Sequence, residues 1–95
     1  MSIVILGGNE CMVHKYKQLC EDYRCRVKVF PKHTGSLKNK LGNPDLMVCF
    51  TSTMSHKLLK AAMSEIKGLD TVVAHCHTSS ISALRGVLEI HAKGA

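Results

Sequence analysis

Apolar positions along the chain fall into two kinds of run that take turns. The first kind is short. Ser2-Ile3-Val4-Ile5-Leu6 and Leu46–Phe50 are apolar nearly throughout, as expected of strands buried on both faces of a parallel sheet. Arg26–Phe30 alternates, with Arg26 and Lys28 between valines, and reads as an edge strand with one wetter face. A fourth strand is expected over 71–76. Between and after these runs the apolar period lengthens to about 3.6 residues, the spacing of one helix face. Met12, Val13, Tyr16, Leu19, Cys20 and Tyr23 mark a helix over 10–22. Leu58, Leu59, Ala62, Met63 and Ile66 mark another, opened by the N-cap Ser55 and stopped near Gly68. Ile81, Leu84, Val87, Leu88 and His91 mark the last, starting at Ser79 or Ser80. A short helix over 36–41 precedes the turn Gly42-Asn43-Pro44.

Strands alternating with helices imply parallel pairing through right-handed crossovers. The two most apolar strands, the first and third, belong side by side in the centre. The expected fold is therefore α/β: one Rossmann-like domain over residues 1–95, a small doubly wound parallel sheet of four strands in the order 2-1-3-4, with helices on both faces.

In such a sheet ligands bind beyond the strand C-termini, at the switch point. The chain places Gly7, Gly8, Asn9, Glu10 and Cys11 after strand one, Lys32, His33 and Thr34 after strand two, Thr51, Ser52, Thr53, Ser55 and His56 after strand three, and His75, Cys76, His77, Thr78, Ser79 and Ser80 at the end of strand four. Four of the six histidines thus collect on one edge, with His14 one turn into the first helix. His75 and His77, at i and i+2, share one face on a strand, a spacing that suits a metal, although two ligands do not make a site. Hydroxyls beside helix N-termini favour anions. Gly7-Gly8 lacks the later glycines of a dinucleotide loop and reads first as a tight turn.

Composition narrows the classes. A formal charge of +6 favours anionic partners, and with four aromatic residues and no basic run of five, nucleic acid is possible but not favoured. The longest apolar runs fall far short of the roughly 20 residues that span a bilayer. No signal peptide is read at the N-terminus. Five cysteines, an odd number without repeated spacing, point to free thiols in a reducing, cytoplasmic setting. The scattered acids form no acid–base pair and no serine sits in a nucleophile elbow, so a catalytic role has little support.

The segments Val4-Ile5-Leu6-Gly7-Gly8-Asn9, Asp45-Leu46-Met47-Val48-Cys49-Phe50-Thr51, Met54-Ser55-His56 and His77-Thr78-Ser79-Ser80-Ile81-Ser82-Ala83-Leu84 resemble the family called Domain of Unknown Function 2325. The resemblance covers nearly the whole chain and implies a small Rossmann-like bacterial or archaeal protein. Members often carry an arginine ahead of the last serine cluster, where this chain has His75 and His77, and a basic residue on the first helix, where it has His14.

These features lead to a binding or sensor protein holding a histidine-ligated cofactor, heme ahead of a simple transition-metal ion. His14 and His56 are the candidate axial ligands, with His75 or His77 opposite or behind. Gly7, Gly8, Asn9, Lys32, Thr51, Ser55, Ser79 and Ser80 would complete the site, Lys32 and the hydroxyls taking the propionates. The alternatives are a nucleotide, phosphate or RNA-binding module without catalysis, and a plain dimeric interaction module. A homodimer is expected, because strand four is an edge carrying no lysine or proline in Thr71-Val72-Val73-Ala74.

Overall fold

A computed structural model describes residues 1–31 and 41–92. Strands β1 (Ser2–Gly7), β2 (Arg26–Phe30), β3 (Leu46–Phe50) and β4 (Val72–Cys76) form one sheet in the order β2-β1-β3-β4, parallel at every pairing. Helices α1 (Val13–Asp22), α2 (His56–Glu65) and α3 (Ile81–His91) cover it. The fold is the α/β sheet that the hydrophobic pattern predicts, strand order included.

The pleat sorts each central strand into two cores. Ile3 and Ile5 of β1, Leu46, Val48 and Phe50 of β3, and Cys76 of β4 pack under Tyr16, Leu19 and Cys20 of α1 and Leu84 and Leu88 of α3. Val4, Leu6, Met47 and Cys49 face the other way, onto Leu58, Ala62 and Ile66 near and along α2 and onto Leu41. Topology dictates this. The crossover from β1 to β2 runs one way along the sheet and that from β3 to β4 the other, so right-handedness puts α1 and α2 on opposite faces. α3 then shares the α1 face.

Some boundaries differ from the periodicity. The first helix does not run unbroken over 10–22: Glu10–Met12 is a 3-10 turn ahead of α1. The cause is Asn9, whose side chain accepts from the Cys11 N–H (2.9 Å) while its carbonyl accepts from the Met12 N–H (2.8 Å), tightening the entry. A second 3-10 turn, Thr51–Thr53, separates β3 from α2. β4 begins at Val72, and the Thr71 hydroxyl instead donates to the Pro44 carbonyl (2.7 Å). The short helix expected over 36–41 lies outside the described residues apart from Leu41, as does Lys32.

Candidate functional site

The crevice beyond the strand C-termini is built around two glycines. Gly7 and Gly8 turn out of β1 with φ of +79° and +90°, a region open to glycine. Space demands glycine as well. A Cβ on Gly7 would lie 2.6 Å from Met54 Cγ, and one on Gly8 would lie 2.9 Å from Tyr16 Cε2. The turn therefore lies flat against α1 and the segment after β3.

Its amides are already spoken for. The Gly8 N–H donates to Thr53 Oγ1 (2.6 Å), and the Thr53 hydroxyl donates onward to the Phe50 carbonyl (3.1 Å). The Asn9 N–H donates to the Tyr16 hydroxyl (3.2 Å), which in turn donates to the Ser79 carbonyl (2.6 Å). Tyr16 is fully buried, its ring tilted against Phe50 with centroids 5.3 Å apart. A phosphate loop presents such amides to its ligand; this turn spends two of them on its own scaffold.

The hydroxyls behave likewise. Ser55 caps α2 by accepting from the Leu58 N–H (3.0 Å), and Ser80 caps α3 by accepting from the Ala83 N–H (3.1 Å). Thr51 donates to the Cys76 carbonyl (3.4 Å), tying the turn after β3 to the end of β4. Ser79 contributes its carbonyl to Tyr16.

The histidines are distributed between layers. His14 is exposed on α1; His56 is exposed at the first position of α2, across the sheet. His75 is the register partner of Cys49 and so faces the α2 side. β4 ends at Cys76, which leaves His77 in the bend beyond it, outside the alternation that would pair it with His75. Among the described residues no group of three or more His, Cys, Asp or Glu side chains is arranged to hold a metal ion.

The structure does assemble one histidine with other polar and charged side chains, away from the loops beyond the strands. Between α1 and α3 lies an open groove of about 370 Å³ lined by His14, Lys15, Gln18, Leu19, Asp22, Ile81 and Arg85. Leu19 and Ile81 supply an apolar floor, Lys15 and Arg85 two cations, and Asp22 one carboxylate. His14, Gln18 and Asp22 recur every four residues on one stripe of α1; Ile81 and Arg85 do the same on α3. That spacing was visible in the sequence, but charged residues at such positions ordinarily mark a solvated face. At the far end of the same two helices the Tyr23 hydroxyl donates to Glu89 (2.5 Å), which holds the phenol above its ordinary range.

Among the described residues no helix is long and apolar enough to cross a membrane. No curated protein and no solved structure matches the chain. Over residues 2–91 it matches the model of the family described as "Uncharacterized protein conserved in bacteria (DUF2325)", and it belongs to that family.

Proposed function

We propose that this member of the DUF2325 family is a small cytoplasmic binding or sensor protein whose groove between α1 and α3 would hold heme, with His14 as the residue that would ligate its iron. The observation that carries the reading is the composition of that groove: one exposed imidazole beside an apolar floor of Leu19 and Ile81, with Lys15 and Arg85 in the same lining. Imidazole ligates iron, apolar side chains accept a macrocycle face, and two cations match two propionates. Bound heme would supply an iron centre for a gaseous ligand or an electron. The chain's own part is to ligate, to orient and to shield. His56 and His75, on the other layer, would serve as ligands from a second copy or as outer groups, and His77 lies in the bend after β4.

The groove is open and its volume is at the small end for a cofactor site, so a second subunit would complete it. A homodimer through β4 or α3 supplies one. Val72 on the β4 edge is 47% exposed and Ile90 on α3 is 77% exposed, the two most exposed large hydrophobics of the described chain.

The test is reconstitution of the purified protein with hemin, followed by visible spectroscopy. The expected result is a shifted Soret band that His14→Ala abolishes and His56→Ala preserves. An unshifted band in the wild type overturns heme binding; a band unchanged in His14→Ala overturns the ligand. Light scattering gives the assembly: a mass near 10.4 kDa sinks the dimer, and twice that supports it.

A second reading, a nucleotide, phosphate or RNA-binding module, draws on Lys15 and Arg85 and on the net charge of +6. A thermal shift with nucleotides in place of hemin would favour it. The committed amides of Gly8 and Asn9 weigh against a phosphate at the glycine turn.

A further inference from the structure

The chain leaves α1 through a Schellman motif. The Arg24 N–H donates to the Glu21 carbonyl (2.8 Å) and the Cys25 N–H to the Cys20 carbonyl (2.9 Å), with Arg24 left-handed at φ +58°. In this motif the side chains at the two ends of the longer bond commonly touch, usually as a pair of hydrophobes. Here both are cysteines. Both thiols are free, and both belong to the core layer under α1 and α3, with Cys20 fully enclosed and Cys25 7% exposed.

We propose that Cys20 and Cys25 form a redox-active dithiol, which a small-molecule disulfide such as oxidised glutathione converts to an intrachain disulfide. Cys25, the less enclosed of the two buried thiols, attacks first. Its thiolate displaces one glutathione thiolate and leaves a mixed disulfide on Cys25 Sγ. Cys20 then gives up its proton and attacks Cys25 Sγ, releasing the second glutathione thiolate. Two protein thiols are oxidised, one glutathione disulfide is reduced to two thiols, and the two protons the protein loses balance the two that the glutathione thiolates take up. Burial, with Cys25 alongside, pushes the Cys20 thiol up to about 12, which suits it to the second, resolving attack rather than the first.

The other cysteines do not offer such a pair. Cys49 and Cys76 are on neighbouring strands but belong to cores on opposite faces of the sheet. Cys76 shares the layer of the dithiol but lies at the C-terminal end of β4, whereas Cys25 immediately precedes the N-terminal end of β2. Cys11 is exposed in the 3-10 turn before α1. A Cys20–Cys25 bond ties the last turn of α1, which carries Leu19 and Asp22 of the groove, to the start of β2. It is independent of what the groove binds.

Arg24 lies between the two cysteines, which makes the bond easy to read. The folded full chain is equilibrated with a fixed ratio of oxidised to reduced glutathione, its free thiols are alkylated, and it is digested with trypsin without reduction. Cleavage after Lys17, Arg24 and Arg26 separates the two cysteines, so their fragments stay joined only through the disulfide. The expected result is that joined pair, with an equilibrium constant several-fold larger in native buffer than in denaturing urea, because the native motif holds the two residues together. The joined fragment disappears in Cys25→Ala. Alkylation or single glutathionylation of both cysteines overturns the proposal. So does pairing of Cys25 with Cys11, Cys49 or Cys76, and so does an equilibrium constant no larger in native buffer than in urea.

Discussion

Replacing Tyr16 by phenylalanine removes one oxygen and should loosen the whole C-terminal edge of the sheet. That oxygen accepts from the Asn9 N–H at 3.2 Å and donates to the Ser79 carbonyl at 2.6 Å, so it joins the loop after β1 to the loop after β4. The ring stays, and with it the 5.3 Å contact to Phe50, so the change isolates the hydroxyl from the packing. Two hydrogen bonds at about 0.5–1.5 kcal/mol each give a loss of about 1–3 kcal/mol. The orphaned amide and carbonyl are only part-buried, so water replaces some of what is lost, and about 2 kcal/mol is the expected value. For a domain of 60–100 residues that corresponds to a drop in Tm of roughly 8–16 °C. Urea titration followed by far-UV circular dichroism measures it, with an unchanged m-value showing that the unfolding transition itself is the same. Hydrogen exchange at the Asn9 amide should accelerate in parallel. A loss below about 0.5 kcal/mol, with Asn9 still protected, would refute the role given to the hydroxyl.

Gly8→Ala and Gly68→Ala should separate strain from packing. Both residues are left-handed, at φ +90° and +87°, but a Cβ on Gly8 meets Tyr16 at 2.9 Å whereas one on Gly68 meets nothing within 4 Å. The expected losses are about 1–2 kcal/mol at Gly68 from the backbone alone and about 2–5 kcal/mol at Gly8, and equal losses would discredit the close approach of the turn to α1. Ser80→Ala removes the acceptor of the Ala83 N–H and should lower stability by about 1 kcal/mol in the same titration, while Ser82→Ala, at a helical position without that bond, should change little. Stability should also fall in alkali. Burial raises Cys20 to about 12 and Cys49 to about 11 from 9.0, and Tyr23 is raised chiefly by its bond to Glu89. Groups raised on folding stabilise fully below their unfolded pKa and lose that contribution as pH climbs toward the folded one. Melting temperatures should therefore decline steadily from about pH 9 upward, and a flat profile to about pH 11 would contradict the burial of these thiols.

The strand order was legible because burial leaves an unambiguous mark on a strand. β3 is buried and apolar at every position and β1 at every position but Ser2, while Arg26 and Lys28 show β2 to be an edge. The serines at 55 and 80 were legible as caps because helix entry needs a side-chain acceptor whatever lies around it. Tyr16 was not. Its place in the apolar stripe of α1 accounts for its ring, and nothing in a one-dimensional pattern says where a phenol oxygen ends. The break between the 3-10 turn and α1 was hidden for a similar reason, since it depends on the side chain of Asn9 folding back on its own backbone. The histidines were read as one cluster from their loops, but a list of loops has no thickness. His14 lies on the α1 layer and His56 on the α2 layer, with the sheet between them.

The same thickness decides where a ligand can be held. A switch-point crevice binds anions when its amides and hydroxyls are left to point outward, and here the first amides after β1 and the hydroxyls of Tyr16, Thr51 and Thr53 join the loops to one another, while those of Ser55 and Ser80 cap the helices that follow. That internal satisfaction stiffens the C-terminal edge into a platform. Polar and charged side chains that are not needed for the platform then sit one layer out, on the helices it supports. The α1–α3 groove fits this description: His14 begins two residues before Tyr16, which locks α1 to the loop leading into α3, so the two walls of the groove are indexed to each other through a single buried oxygen. Tyr16→Phe thus bears on the proposed binding as well as on stability. If the groove is the binding site, the variant should bind hemin more weakly at temperatures where it is still folded, because freeing the Ser79 loop lets the wall carrying Ile81 and Arg85 drift from the one carrying His14.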